Sequence, residues 1–295
     1  MAKVAIVGVG AIGSVVAALL EQSGRHEVIL CVRRPLAGLT VETPDGPVRV
    51  RAAVVTDPGT APPVDWVVVA TKAYDVSGAA KWLERLRLHN APVAVLQNGV
   101  EHRERFAPFM PLSSILPVIV DCPVERQAPD RVHQRGGMNL KAPQGVPGRT
   151  FVELFAGTKA DAMVVDDFRS AAWNKLCINS AGVLSALLLQ PGGVLRGQAI
   201  GEVALQIVRE CIAVGRAEGA RLEDELAGTV LQRYRTSPAD SINSMHADRL
   251  AGRPMEIDAR NGVIVRLGRK HGIPTPANSM AVALLEAMSG GGRTA

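Results

Sequence analysis

The stretch "KVAIVGVGAIGSVVAALLEQSG", Lys3 to Gly24, decides the fold. "KVAIVG" (3–8) is a short β-branched run leading into glycines. "AIGSVVAALLEQSG" then carries apolar residues at helical spacing and stops at Gly24, a residue suited to a C-cap. "EVILCV" (27–32) supplies the next strand. Strand, helix and strand make a βαβ unit of about thirty residues, the length a right-handed parallel crossover needs. The sheet therefore begins parallel.

The turn inside this unit is "GVGAIG": Gly8, Val9, Gly10, Ala11, Ile12 and Gly13, a GxGxxG pattern. The first glycine permits a tight turn, the second lets backbone approach a pyrophosphate, and the third lets helix and strand pack closely. The helix N-terminus adds unpaired N–H groups and a positive dipole end. Alone the pattern is weak, but its place between a strand and a helix marks a dinucleotide site. An NAD site usually ends its second strand in an acid that holds the ribose 2′-hydroxyl, whereas here that strand ends "CVRRP". Arg33 or Arg34 suits a 2′-phosphate, so the sequence favours NADPH/NADP+; the plain alternative is two exposed arginines at a strand end.

Composition narrows the class. With 47% hydrophobic and 21% charged residues the chain is of the soluble globular type, and 3% aromatic residues are too few for a base-stacking nucleic-acid platform. The net charge of +5 is dispersed through "ERLRLHN", "EHRERF" and "RLGRKHG", segments of helical spacing. Solvated helix faces and a small anionic ligand account for it better than a polyanion patch. Cys31, Cys122, Cys177 and Cys211 stand far apart without a CxxC, which suggests a reducing cytoplasm and no metal site. The apolar N-terminus superficially matches a signal peptide, but its spaced glycines argue for the turn. No other segment offers about eighteen uninterrupted apolar residues, so no membrane span is expected.

At 295 residues the chain is long enough for two domains. A Pro/Gly-rich, hairpin-like insert (35–60) precedes "DWVVVAT" (65–71), the helical "VSGAAKWLERLRL" (76–88) and "APVAVLQ" (91–97). "SSILPVIV", "DRVHQRG", "MNLKAP" and "FVELFA" then read as short strands closing the same sheet in an antiparallel portion. From Asp166 the spacing turns helical throughout, over 167–190, 197–219, 222–235, 240–250, 254–271 and 276–288. The fold class is therefore α/β: a Rossmann-type dinucleotide-binding domain (1–165) and an all-helical domain (166–295), with ligands expected in the cleft between them. The helical domain invites homodimerisation without marking an interface, and the "SGGGRTA" tail is expected to be disordered.

Lys72, in "ATKAYDV", and Asn98, in "LQNGVE", follow strands at their carboxyl ends, where an open α/β sheet presents its ligand crevice. A solvated loop for Lys72 and simple turn chemistry at Asn98-Gly99 are equally good readings. Lys175 and Asn179, in "AAWNKLCINSAGVLSALLL", are four apart and share a helix face. A partly desolvated lysine there suits proton donation to a carbonyl, but it could equally snorkel to water. In "GRPMEIDARNGVIVRLGRKHG", Pro254 fits a first turn and Gly272 an end, which puts Glu256 near a helix N-terminus, where the dipole alone explains it. Ser244 and His246, in "NSMHAD", carry no signal by spacing.

Taken together, "GVGAIG", "TKAYDV", "QNGVE", "AAWNKLCIN", "NSM" with "AD" after it, and "MEIDARNGVIVRLGRKHGIPTP" resemble the ketopantoate reductase family from Lys3 to about Asn278. The resemblance implies NADPH-dependent reduction of a 2-oxo acid, ketopantoate to pantoate, for pantothenate and coenzyme A. It places Lys175 as general acid and Glu256 as a carboxylate contacting ligand or cofactor ribose. Asn98 falls at a cofactor and substrate contact, Lys72 at a cofactor contact, Asn179 and Ser244 at substrate contacts, and Arg33 at the 2′-phosphate. The chain departs from the pattern at Val183 and near Gly192, where family members commonly carry asparagines, and at His246, where an aliphatic residue is usual and exposure is expected here. Those departures allow a second reading, a family reductase for a more apolar 2-oxo acid. A third is a non-catalytic NADP(H) sensor, against which the retention of Lys175 and Asn179 speaks.

Overall fold

The computed structural model describes residues 1–290. The chain divides into two compact units, one of Met1–Gln97 with Glu101–Phe168, the other of Asn98–Val100 with the chain from Arg169.

The first unit is organised by strand β1 (Ala2–Val7), helix α1 (Ala11–Gln22) and strand β2 (His26–Cys31). β1 pairs parallel to β2, Ala2 opposite His26 through Val7 opposite Cys31. Gly24 ends the helical turn at φ 64°, its N–H donating to the Glu21 carbonyl. The insert is a hairpin, β3 (Leu39–Thr43) and β4 (Gly46–Val50), with Gly46 at φ 116° in its turn. β5 (Ala53–Val55) follows and joins the edge of the main sheet parallel to β2, a strand too short to show a period in sequence. β6 (Trp66–Val69), α2 (Val76–Leu86), β7 (Val93–Val95), α3 (His102–Phe106) and β8 (Ile115–Pro117) complete the alternation. The resulting six-stranded sheet has order β5-β2-β1-β6-β7-β8 and is parallel throughout. Apart from the exposed edge strand β5, its strands are buried on both faces, as the near-continuous valine, isoleucine and alanine runs require. Strand order reverses beside β1, between it and β6, and such a switch point opens a crevice at the strand carboxyl ends.

The expected antiparallel close of this sheet is not observed. β9 (Ile119–Asp121), β10 (Val124–Ala128), β11 (Arg131–Gln134), β12 (Met138–Pro143) and β13 (Ala160–Val165) build two separate sheets. One has order β10-β11-β3-β4 and packs over α1, and the other has order β13-β12-β9. Alternation reports which faces are apolar and not which strand is the partner, so the sheet assignment was beyond it. "FVELFA" is not a strand either: it lies in and just beyond α4 (Val146–Leu154), whose first turn carries Pro147.

In the second unit all described secondary structure is helical. α5 (Phe168–Ala181) and α6 (Val183–Leu188) replace the single helix expected over 167–190. The break falls at Gly182, where a Cβ would stand 2.9 Å from Tyr234 Oη, 3.0 Å from Asn243 Nδ2 and 3.2 Å from Arg260 NH2. α7 (Gln198–Ala217) forms the centre of the core through Ile207, Val208 and Cys211. Around it lie α8 (Leu226–Thr236), α9 (Ser244–Leu250), α10 (Val263–His271) and α11 (Pro276–Gly290). A π-helical turn, Asp258–Gly262, leads into α10, so Pro254 precedes the helix rather than opening it. Gly272 ends α10 at φ 67°. Ser289 and Gly290, expected in a disordered tail, are the last helical residues of α11, and the remainder of that tail lies outside the described residues. No helix among the described residues is long and apolar enough to cross a membrane.

The start of α11 is held from within. Glu210 of α7, almost wholly enclosed, accepts from the Ala277 and Asn278 N–H groups at 2.9 Å each and from Asn278 Nδ2 at 2.7 Å. Asn278 Oδ1 in turn accepts from Asn261 Nδ2 at 2.9 Å. Replacing Glu210 with Ala strands these donors, and urea unfolding should show a loss of about 2 to 4 kcal/mol, with Glu210→Gln losing less.

Candidate active site

The glycine turn of the first unit fits a dinucleotide by what its glycines exclude and admit. Gly8 sits at φ 94°, and a Cβ there would stand 2.6 Å from the Thr71 nitrogen in the loop after β6. A Cβ on Gly13 would run into the Gly8 carbonyl oxygen. A Cβ on Gly10 would meet nothing within 4 Å, so the space above the N-cap of α1 is open. The first-turn N–H groups that begin at Ala11 have no carbonyl upstream within the helix and point into that space. Val9 is buried and Ile12 packs against the core, so both side chains anchor the turn while its backbone faces outward.

Three further groups stand at the carboxyl ends of neighbouring strands. Arg33, two residues beyond β2 and 81% exposed, places NH1 3.3 Å from Asp75 Oδ2. Lys72 is the N-cap of the one-turn helix Ala73–Asp75 that leads into α2. Gln97, after β7, donates from Nε2 to Thr71 Oγ1 at 3.0 Å and to the Lys72 carbonyl at 3.3 Å. It thereby fixes the loop that carries Lys72. A ring nitrogen of the buried His102 lies 2.8 Å from the Gln97 carbonyl, and burial holds that imidazole below its ordinary pKa.

The remaining sequence candidates gather in the second unit, around the end of α5. Asn98 belongs here, with Gly99 at φ 107° passing so close to the Ala259 carbonyl that a Cβ would stand 2.8 Å from it. Asn98 Nδ2 donates to Glu256 Oε2 at 2.9 Å, and Asn179 Nδ2 lies 3.4 Å from Asn98 Oδ1. Glu256 is buried immediately before the helical segment, and its carboxylate accepts from this amide. Lys175 lies one turn ahead of Asn179 on α5, half-buried, on the less enclosed strip of a helix whose other side packs through Trp173, Leu176 and Cys177. Ser244 opens α9 and is exposed; its neighbour Asn243 caps α9 by accepting from the Met245 and His246 N–H groups. Asn243 Nδ2 also donates to the Gly182 carbonyl at 2.9 Å, which ties Ser244 to the same helix end.

That helix end is satisfied by side chains. The Ile178 carbonyl accepts from Tyr234 Oη at 3.0 Å, the Asn179 carbonyl from Arg260 NH2, and the Ser180 carbonyl from Asn261 Nδ2 at 3.1 Å. Arg260 is 2% exposed. Burial lowers its pKa, and the charges of Tyr234, Glu256 and Asp248 push it back up. Sequence reading missed Arg260, Tyr234, Asn243 and Asn261. The available signal was an arginine one helical turn after Glu256, but a charge among apolar residues at helical spacing reads as a solvated face.

The three departures resolve into structure. Val183 is fully enclosed in the core of the helical unit. Gly192 donates its N–H to the Ser241 carbonyl at 2.8 Å, and a Cβ there would stand 2.7 Å from Ser241 Oγ. His246, expected to be exposed, is 1% exposed, with Nδ1 2.9 Å from Ser185 Oγ. That hydroxyl donates to the Gln190 carbonyl at 2.5 Å, so the ring supplies its own proton at Nδ1, and burial keeps the ring's pKa below the usual value. Among the described residues no group of His, Cys, Asp and Glu is arranged to hold a metal ion.

The chain matches the model of the ketopantoate reductase PanE/ApbA family over residues 4–145 and that of its C-terminal domain over residues 167–289. It is 48% identical to a 2-dehydropantoate 2-reductase of Caulobacter vibrioides, covering 97% of this chain and 99% of that one. It is 41% identical to one of Mycobacterium tuberculosis, with 98% of each covered. Among solved structures, a PanE/ApbA family ketopantoate reductase from Ralstonia eutropha JMP134 superposes with a TM-score of 0.90 at 32% identity, covering 99% of this chain and 100% of that one. A 2-dehydropantoate 2-reductase from Geobacter metallireducens gives 0.91 at 27% identity, covering 97% and 99%.

The glycine turn makes a paired test. Gly10→Ala should change stability by less than about 0.5 kcal/mol, because its methyl enters open space, while weakening dinucleotide binding about tenfold or more if the turn holds the pyrophosphate. Gly13→Ala should lower the unfolding midpoint itself. Calorimetric titration and urea melts separate the two.

Proposed function

Because the chain belongs to the ketopantoate reductase family, we propose that it reduces 2-dehydropantoate to pantoate with NADPH, supplying pantoate for pantothenate. It is an oxidoreductase that works with a nicotinamide cofactor. The observation that carries the fuller reading is the position of Lys175 one turn ahead of Asn179, with Asn179 linked through Asn98 to Glu256.

In this reading the backbone from Gly8 to Gly13 receives the pyrophosphate, and the guanidinium of Arg33 receives the ribose 2′-phosphate, exchanging a solvent-exposed pair with Asp75 that contributes little by itself. Lys72 adds a second cation for the nucleotide. A nicotinamide cofactor, when bound, would supply the hydride that the ketone carbon accepts. Lys175, as ammonium, hydrogen-bonds the ketone oxygen, stabilises negative charge as it grows there, and transfers a proton from Nζ to that oxygen. Asn179, Asn98 and Ser244 orient the 2-oxo acid through its carboxylate and hydroxyl. Glu256 fixes which way the Asn98 amide faces, since an ionised carboxylate accepts only from the NH2 side.

The substrate is tested by following loss of NADPH absorbance with 2-dehydropantoate beside a panel of other 2-oxo acids. A preference of about tenfold or more in kcat/KM for 2-dehydropantoate supports the assignment, and a different acid in first place overturns it. Lys175→Ala should lower kcat by about a hundredfold, and an undiminished kcat removes it as the acid. Arg33→Ala should raise KM for NADPH by about tenfold and leave that for NADH unchanged, as expected of a group that meets only the 2′-phosphate.

A further inference from the structure

We infer that Arg260 is a positioning residue for the 2-oxo acid: its buried guanidinium holds the Asn179 backbone and faces Glu256, and so closes the Asn98–Asn179–Glu256 chain into a ring. The inference rests on the reading above.

The ring can be traced bond by bond. Arg260 NH2 donates to the Asn179 carbonyl, Asn179 Nδ2 lies 3.4 Å from Asn98 Oδ1, and Asn98 Nδ2 donates to Glu256 Oε2 at 2.9 Å. Glu256 and Arg260 are then joined by the three intervening residues of backbone, including the start of the π turn. Three of the four members carry side chains assigned to ligand contact; Arg260 holds the backbone of one, Asn179, and faces another, Glu256.

A cation in this place is expensive unless it has work to do on its neighbours. An arginine keeps its charge at any physiological pH, so the helical unit contains a permanent positive group. The groups facing it are Tyr234 on α8, Asp248 on α9, Glu256 ahead of the π turn and the carbonyl end of α5. Asp248 is also paired with Arg253, Nε to Oδ1 at 3.0 Å. Glu256, whose carboxylate accepts from Asn98, is among the charges that favour the guanidinium here. Arg260 Nε is buried with no hydrogen-bond partner among the described residues. The hydrogen bond that the guanidinium makes from NH2 goes to the Asn179 carbonyl.

Val183 lies at the same helix end. The resemblance places an asparagine there, one turn after Asn179, but here the position is apolar and closed. Arg260 NH2 instead reaches the same end of α5, within 3.2 Å of where a Cβ of Gly182 would lie. The polar group that organises this helix end enters from the π turn rather than from α5 itself.

The test compares wild type, Arg260→Met and Arg260→Lys in steady-state kinetics with the 2-oxo acid that wild type reduces best, alongside calorimetric NADPH affinity. Arg260→Met should raise KM for the acid by about tenfold or more, and Arg260→Lys by about threefold, with NADPH affinity within about twofold of wild type. A variant that merely lost folded protein would show lower kcat at unchanged KM, and that result overturns the inference. Equal impairment by Lys and Met overturns it too. Should Arg260→Met yield no folded protein, Arg260→Lys decides alone: a raised KM with NADPH affinity intact supports the role, and a wild-type KM refutes it. A wild type that turns over no 2-oxo acid overturns the parent reading, and a wild type that does, with KM insensitive to Arg260, overturns only this one.

Discussion

The carbonyl end of α5 is the constraint on which the helical unit depends. An α-helix leaves its last carbonyls without partners, and when that end lies inside a protein each unpaired group costs about 1–3 kcal/mol. Here the donors are Tyr234 from α8, Asn243 from the turn before α9, and Arg260 and Asn261 from the π turn. One helix terminus therefore collects three segments that are 56 to 81 residues away in sequence. Ser244 follows Asn243, Glu256 precedes Arg260, and Asn179 is itself one of the capped residues. Satisfying the backbone and assembling the polar cluster are the same event.

The first unit solves a different problem with fewer means. Its parallel sheet needs no capping side chains, but a helix must start within van der Waals distance of the strand it follows. Gly8 and Gly13 meet that need by lacking Cβ atoms, and Gly10 leaves room that the protein itself does not use. Gln97 and the loop at Lys72 are bound to each other in turn, so the carboxyl ends of β6 and β7 form one surface.

What could be read from the sequence follows from this contrast. The glycine turn, β1, α1 and β2 are local, with every contact that defines them within about thirty residues, and they stand close to where patterning put them. β11, by contrast, pairs with β3 from far earlier in the chain, and β9, β12 and β13 form a sheet of their own; alternation carries no information about which strand is the partner. "FVELFA" misled because a short aromatic and branched run suits either state, although Pro147 four residues earlier was a helix-start signal left unused. In the cluster, Asn98, Asn179 and Glu256 could be named, yet the bonds joining them could not, and Arg260 was invisible because its inward aim comes from a π turn that helical spacing does not represent. The helix break at Gly182 was missed for a related reason: three polar side chains from elsewhere occupy the space a Cβ would need.

The π turn at Asp258–Gly262 also separates the fates of the residues on either side of it. A regular helix couples all its side chains by a fixed rotation of 100° per residue, as 3.6 residues per turn dictates, so repacking one face drags the others. One wide turn breaks that phase relation. Ahead of it and within it, Glu256 and Arg260 keep their bearing toward α5. Downstream, Val263, Ile264 and Gly268 keep theirs toward the hydrophobic interior. The apolar stripe of α10 can thus drift over evolutionary time without re-aiming the buried arginine. A chain one residue shorter at this point would regain a regular helix and lose the register of one of its two faces.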